Sequence, residues 1–573
     1  MLLLPTAQSL VLRPQNVLEL SVCDEDTLTP NDHLLTVLYD LSKLCLRNKT
    51  HVKFPLNPEG MEELEVEFLL AENPNTLDVR LGFSLCQEEV EFLQKRKVVV
   101  TKALSQVLQL EEDLHEDEVP LIAIMATGGG ARSMVALYGH LMGLQKLNLL
   151  DCSTYITGLS GATWTMATLY SDAEWSSKNL EPAVFEARRH VVKDKMPALY
   201  PDQLCKWREE LHQHNQEGYK TTLTDFWGKL IEYSLGDKKN DCKLSEQRAA
   251  LCQGQNPLPI YLTINVKDDV SNQDFREWFE FSPYEVGMQK YGAFIPTELF
   301  GSEFFMGRLM KRIPEPEMCY MLGLWSSIFS LNLLDAWNLS HTSEEFYYRW
   351  IREKHHDIED DPLLPEIPRC NDASPLETRV VIPASWLSNT FREILTHRSF
   401  VSEFHNFLYG MQLHTDYLQN KQFSMWKGFQ CLKCSPVMLQ PLKQTCEYCT
   451  TQNIPFPSYS IQEDDKSLKE CYLMENPQEP DTPIVAYFPL INDTFQKYKA
   501  PGVERSPEEL EQGQLNIYGP KSPYATKELT YTEAAFDKLV KLTEYNILNN
   551  KDKLIQAVRL AVEKKRMNRQ CPS

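Results

Sequence analysis

A serine hydroxyl becomes a useful nucleophile when a tight turn exposes it and a neighbouring base accepts its proton. The run Gly158-Leu159-Ser160-Gly161-Ala162 has residue types suited to that turn. It follows the strand-like segment Ser153–Thr157 and precedes a helix-compatible stretch, Ala167–Ser171. Small neighbours are needed there because the backbone of a strand-to-helix turn is strained and crowded. The fifth position of the G-x-S-x-G pattern holds Ala162 where glycine is usual. A helix starting after Ser160 would aim its positive dipole end at the hydroxyl. Read alone, the same five residues are also a glycine-rich turn with an incidental serine.

A second turn has complementary chemistry. Gly128-Gly129-Gly130-Ala131-Arg132 again separates an apolar run, Pro120–Thr127, from a helical pattern. The backbone N–H groups of Gly129 and Gly130 are candidates for holding an oxyanion, each such donor being worth about 3 kcal/mol in the transition state. Arg132 is a candidate contact for a phosphate group. The competing reading is a nucleotide phosphate loop, but neither G-x-x-x-x-G-K-[ST] nor G-x-G-x-x-G is present.

The elements that must position these turns are legible as patterns. Pro120–Thr127 is continuously apolar, as expected of a strand buried on both faces. Met134, Val135, Tyr138, Leu141 and Met142 then recur at helical spacing. A further strand is expected over Pro259–Val266. Strand–turn–helix units in series imply an α/β sheet with helices on both faces. Ahead of it, alternating runs at Val17–Cys23, His51–Leu56 and Leu64–Ala71 suggest a small all-β block over residues 1–72. Residues 73–118 read as an acidic, polar linker, and 119–573 as the catalytic body. The acidic, proline-rich stretch 355–375 reads as a lid-like surface loop.

Composition narrows the function classes. The chain has 573 residues and a formal charge of −22, which argues against nucleic acid as a partner and predicts long-range repulsion from anionic membranes. Its apolar runs are too short for a spanning helix, and the N-terminal segment lacks the basic region of a signal peptide. Fifteen cysteines, an odd number scattered over a long chain, fit a reducing cytosol. The expected location is cytoplasmic, with peripheral and reversible membrane contact.

GGGARSMVALYGHL followed by GLSGATWTMATLYS resembles the group IV cytosolic phospholipase A2 family, and so do FSPYEVGMQKYGAF (281–294), LFGSEFFMG (299–307), KECYLMENP (469–477) and YKAPGVERSPEE (498–509). The resemblance covers most of residues 17–573, and the C-terminal half looks closest to epsilon-like members. It implies a patatin-like α/β catalytic domain after a C2 domain, which here is only partial. It implies Ser160 as nucleophile, Gly129 and Gly130 as oxyanion hole, and Arg132 as phosphate contact. The implied activity is calcium-dependent hydrolysis of the sn-2 ester of glycerophospholipids at membranes. The epsilon-like likeness adds N-acyl transfer to phosphatidylethanolamine.

The sequence also departs from that family. Its members use a serine–aspartate dyad without histidine, and none of the 13 histidines here sits in a motif suggesting a replacement base. The aspartate is expected shortly before PLKQTCEYC (441–449), yet none occurs from Tyr417 to Glu463. The stretch 426–440 reads as an internal deletion, so the alternative expectation is a catalytically impaired lipid-binding isoform. The pairs Cys431/Cys434 and Cys446/Cys449 suggest zinc by type, but their separation is shorter than ribbon spacing and the second pair lies in a segment that is helical in the family. VLELSVCDEDTLTPND resembles the later part of a C2 domain. Asp24, Asp26 and Asp32 are then a remnant calcium loop, whose partner loop would lie ahead of Met1; the competing reading is an acidic turn without metal. At the other end, Lys564, Lys565, Arg566 and Arg569 form a basic tail suited to anionic phosphoinositides, or else a solvated helix end.

Overall fold

The structure is a computed structural model. It describes residues 17–23, 33–40, 49–55, 63–69, 77–219, 223–236, 242–265, 277–326, 468–478, 482–518, 522–525 and 528–570, with short pieces and single positions between. The expected calcium loop (Asp24, Asp26, Asp32), the lid-like loop 355–375, Cys431 and Cys434, and the stretch 426–440 lie outside the described residues.

At the N-terminus, β1 (Val17–Cys23) pairs antiparallel with β2 (His33–Asp40), and β3 (Lys49–Pro55) pairs antiparallel with β4 (Glu63–Leu69). The two ladders meet through aromatic rings. Tyr39 of β2 stacks on Phe68 at 4.7 Å and stands edge-on to Phe54 at 6.0 Å. This is the small all-β arrangement expected before the α/β body.

The body is organised by a mixed sheet. Its strands are β5 (Arg80–Leu81), β6 (Ala123–Ala126), β7 (Tyr155–Leu159), β8 (Leu258–Asn265), β9 (Glu277–Phe281), β10 (Glu285–Met288) and β11 (Ala293–Pro296). Among the described residues the spatial order is β5-β11-β10-β9-β8-β7-β6. β6, β7 and β8 run parallel, and β8 through β11 and β5 pair antiparallel. The parallel half contains both chemistry-bearing turns, since parallel neighbours require helical crossovers. β6 leads through the glycine turn into α2 (Ala131–Lys146), and β7 through the serine turn into α3 (Gly161–Leu169).

Two expectations need correction. Pro120–Thr127 is not buried on both faces: β6 ends the sheet among the described residues, its exposure alternates, and Met125 is 78% exposed. An edge strand has only one flanking partner, so continuous apolarity did not mean enclosure. Residues 73–118 are not merely a linker, because β5 joins the sheet and α1 (Gln87–Leu108) is a 22-residue helix. Phe92, Arg96, Val100, Ala103, Leu104 and Leu108 form its buried stripe at helical spacing. Acidic first-turn residues Glu88 and Glu89 sit where a helix dipole favours them.

α4 (Glu181–Val192) packs on α2 and α7 (Met318–Trp325) on β8 and α3, while α6 (Leu223–Leu235) packs on α4 and α7 and α5 (Pro201–Gln216) on α6. The chain closes with α8 (Glu533–Asn549) and α9 (Lys551–Gln570). α8 crosses α2 at close range: a Cβ on Gly143 would lie 2.7 Å from Ile547 Cβ. Val558 and Val562 of α9 share a second apolar cluster with Val100, Leu104 and Leu108 of α1.

Candidate active site

Ser160 adopts φ 53° and ψ −126° at the junction of β7 and α3. That left-handed backbone costs a non-glycine residue about 1–3 kcal/mol and persists only where its surroundings enforce it. The enforcement is visible. The Ser160 N–H donates to the Trp325 carbonyl at 3.0 Å. The Ser160 carbonyl accepts from Thr163 N–H at 2.9 Å and from Thr163 Oγ1 at 2.5 Å. Trp325 is itself held by a stack on Tyr261 at 4.1 Å. Every α3 residue except Thr168 is buried, so the turn has little freedom to relax.

The glycine turn lies against the serine turn. A Cβ on Gly128 would come within 3.0 Å of Ser160 Cβ. A Cβ on Gly161 would overlap the Gly130 carbonyl oxygen and lie 2.6 Å from its carbon. Gly130 caps α2 with φ 59° and ψ −141°, nearly repeating the Ser160 conformation. Thr165 Oγ1 donates to the Met134 carbonyl at 2.9 Å and locks α3 onto α2. Neither the Gly129 nor the Gly130 N–H donates to another described residue. Two free N–H groups at a helix N-terminus, beside a strained serine, form an arrangement able to receive an oxyanion.

Arg132 lies in the first turn of α2, half-buried, with its guanidinium 5.1 Å from the centre of the Tyr518 ring. It makes no ion pair among the described residues, which leaves its charge available to an anion. Beside the two turns an apolar cavity is lined by Ala131, Met134, Trp164, Val191, Ile231 and Leu529, among others.

Ser160 Oγ makes no hydrogen bond to any described residue, and Ser160 is 7% exposed. His140 and His214 are each depressed to about 4 by burial, in His214 aided by the Lys229 charge. His214 is stacked between Tyr219 and Tyr320 at 4.1 and 4.0 Å.

The remaining candidates lie elsewhere. In the tail, Arg566 Nε and Arg569 Nη1 donate to Glu118 at 3.4 and 3.0 Å. Lys564 Nζ donates to the Thr482 carbonyl at 2.5 Å, while Lys565 is exposed. Three of the four cations are thus engaged within the chain. Cys446 Sγ faces the Pro457 carbonyl at 3.8 Å, and Cys449 is buried. Among the described residues no group of three or more His, Cys, Asp or Glu is arranged to hold a metal, and no helix is long and apolar enough to cross a membrane.

A strained serine between parallel strand and helix, faced by a glycine turn with free N–H groups, defines a patatin-like α/β catalytic body. A family model described as the lysophospholipase catalytic domain matches residues 122–368. Cytosolic phospholipase A2 epsilon of Mus musculus is 67% identical, covering 98% of this chain and 84% of that protein. The Homo sapiens protein of the same name is 61% identical, covering 98% and 85%. The solved structure of human GIVD cytosolic phospholipase A2 superposes with a TM-score of 0.71 at 36% identity, covering 96% of this chain and 91% of that one. The chain belongs to the cytosolic phospholipase A2 family, a family of enzymes with this catalytic domain. The mouse alignment runs over 733 positions against 573 residues here, so at least 160 positions of that relative have no counterpart inside this chain.

Proposed function

We propose that the chain is an acyl-hydrolase that opens the sn-2 ester of glycerophospholipids through an acyl-serine intermediate. Ser160 Oγ attacks the ester carbonyl carbon, and the oxyanion accepts hydrogen bonds from Gly129 and Gly130. Collapse of that intermediate expels the glycerol oxygen, which takes up the proton given up by the Ser160 hydroxyl and leaves as a lysophospholipid. Water then attacks the acyl-serine and releases the fatty acid. Arg132 holds the phosphate, and the apolar cavity beside Ala131 and Trp164 takes an acyl chain. The observation that carries this reading is the left-handed Ser160 backbone packed against Gly128–Gly130, with the Gly129 and Gly130 N–H groups free among the described residues. Interception of the acyl-serine by the amine of phosphatidylethanolamine would make the same site an N-acyltransferase.

Membrane contact is peripheral and reversible in this reading, from a cytoplasmic location. Residues 1–72 supply a C2-type module, and calcium bound by Asp24, Asp26 and Asp32 offsets the repulsion of a −22 chain from anionic lipid. The tail residues Lys564, Lys565, Arg566 and Arg569 reach phosphoinositides only after Arg566 and Arg569 release Glu118.

A second reading has its own support. No aspartate occurs from Tyr417 to Glu463, Ser160 Oγ has no described partner, and aligned positions of the relatives are missing. On that reading the chain is an impaired isoform that binds lipid without turning it over. One experiment separates the two: fatty-acid release from mixed phospholipid vesicles, with and without calcium, by this chain and its Ser160→Ala variant. Serine-dependent release supports the hydrolase. Equal, background release from two folded chains supports the impaired isoform.

A further inference from the structure

Three consecutive glycines, Gly128–Gly130, leave a backbone with more freedom than other residue types would allow. Two of them present N–H groups that serve an oxyanion only when held in one direction. One side chain spans this stretch. Ser133, in the first turn of α2, donates its Oγ–H to the Thr127 carbonyl, just ahead of the first glycine. Among the described residues no other side chain hydrogen-bonds the backbone of residues 127–130. The bond closes a loop between residues six positions apart, with Gly129 inside it. A Cβ on Gly129 would lie 3.5 Å from Ser133 Cβ and 3.8 Å from Arg132 Nε. The other end of the loop is fixed by backbone, since the Gly130 carbonyl accepts from Met134 N–H at 3.2 Å. The start, at Thr127 and Gly128, is where the Ser133 hydroxyl acts.

We propose that Ser133 is a positioning residue whose hydroxyl bolts the glycine loop shut and so fixes the direction of the Gly129 and Gly130 N–H groups. The inference rests on the reading of those groups as the oxyanion hole and deepens it. Such donors are effective because they already lie where the charge will develop. A loop that samples several conformations offers that arrangement for only part of the time. Misplacement by about 1 Å costs on the order of a hundredfold in rate. A serine hydroxyl has one proton to donate, and that of Ser133 is spent on the Thr127 carbonyl. It therefore acts through the loop rather than on the substrate. Thr127 is exposed and Ser133 half-buried, so water can take the place of a lost hydroxyl and global stability should change little.

The test compares the full wild-type chain with Ser133→Ala, which removes the hydroxyl, and Ser133→Thr, which keeps it. Each chain is made by cell-free synthesis with glycine labelled at both its nitrogen and its carbonyl carbon. Gly128–Gly129 and Gly129–Gly130 are the only glycine–glycine steps in the sequence. A carbonyl-filtered amide spectrum therefore shows two signals, those of the Gly129 and Gly130 N–H groups. The expected result is that both signals shift or broaden in Ser133→Ala at an unchanged melting temperature, and that Ser133→Thr restores them. The second readout is the rate of Ser160 labelling by a small uncharged fluorophosphonate, whose phosphoryl oxygen takes the oxyanion position. That rate should fall about tenfold or more in Ser133→Ala and stay near wild type in Ser133→Thr. Unchanged glycine signals in Ser133→Ala would overturn the proposal, as would altered signals beside an unchanged labelling rate. Failure of threonine to restore the signals, or their change only with a lower melting temperature, would assign Ser133 to packing and overturn it too. The reading of Ser160 is judged separately. If no folded chain is labelled, the nucleophile is in error, and the glycine signals alone decide Ser133.

Discussion

Replacing Arg96 with methionine tests how the candidate site is held. Arg96 lies on α1 and is 0% exposed. Its guanidinium donates to the carbonyls of Ser153 (2.9 Å), Gly254 (3.0 Å), Gln255 (2.8 Å) and Asp151 (3.3 Å). Those carbonyls lie just ahead of β7 and β8, and β7 carries Ser160 at its other end. Burial lowers the pKa of Arg96 while the Asp151 charge opposes this. The buried cation is therefore satisfied mainly by backbone dipoles. Methionine preserves the apolar stem but leaves those carbonyls without their donors. Each buried acceptor so stranded costs about 1–3 kcal/mol, and removing the charge returns part of its desolvation cost. The expected net loss is about 3–5 kcal/mol, the range for breaking a buried charged network from one side. Urea unfolding of the full chain, followed by tryptophan fluorescence, reads this as a lower midpoint at unchanged slope. Arg96→Lys should fall between, because it keeps the charge with fewer and less directed donors. A loss below about 1 kcal/mol for Arg96→Met would refute the reasoning, since it would place these bonds at the worth of one ordinary hydrogen bond.

Three further outcomes follow from the same structure. Gly161→Ala would drive a methyl into the Gly130 carbonyl, so the two turns must part; the urea midpoint should fall by about 3 kcal/mol equivalent, and an unmoved midpoint would show that the turns separate freely. His214 has a folded pKa of about 4 against an ordinary 6.5, so it contributes stability above 6.5 that is lost as pH falls toward 4; His214→Phe should flatten the fall in stability across that window. Glu470 accepts from Thr494 N–H at 2.9 Å, Thr494 Oγ1 at 2.6 Å, Asn549 Nδ2 at 2.9 Å and Asn550 Nδ2 at 3.2 Å. Glu470→Gln sets an amide against those donors and should cost about 2 kcal/mol in thermal or urea unfolding.

What was legible in the sequence depended on how local the constraint is. The turns at Gly128–Gly130 and Gly158–Gly161 were readable because close backbone approach and positive φ restrict the residue types allowed. Helix α2 was readable because Met134, Val135, Tyr138, Leu141 and Met142 repeat with its period, and all five are buried. Helix α1 was missed because acidic residues dominate its surroundings, although Phe92, Val100, Leu104 and Leu108 carried the helical period. The charge inside that stripe, Arg96, carries no local sequence signal of burial, since only the fold brings four carbonyls to it. Burial of β6 was overestimated for a related reason: sequence shows that a strand is apolar, not which place in the sheet it occupies.

On the proposed reading, the turn that carries Ser160 is held in place by groups that are not proton acceptors. Ser160 is held by Trp325, by Thr163 and by the buried α3, and none of these groups is a base. The strained turn and the N–H groups of Gly129 and Gly130, free among the described residues, therefore need no base in order to form. A chain with this scaffold and no acceptor would still offer the two N–H groups to a carbonyl oxygen and the Arg132 guanidinium to an anion. It would lack only removal of the hydroxyl proton, and a serine hydroxyl at neutral pH is a weak nucleophile without it. General-base assistance accounts for about 10²–10⁴-fold of rate. A chain of the impaired kind should accordingly show a far lower rate of serine acylation with little loss of ligand affinity. Loss of both together would instead mean that the positions of the relatives without a counterpart in this chain also shape the turn.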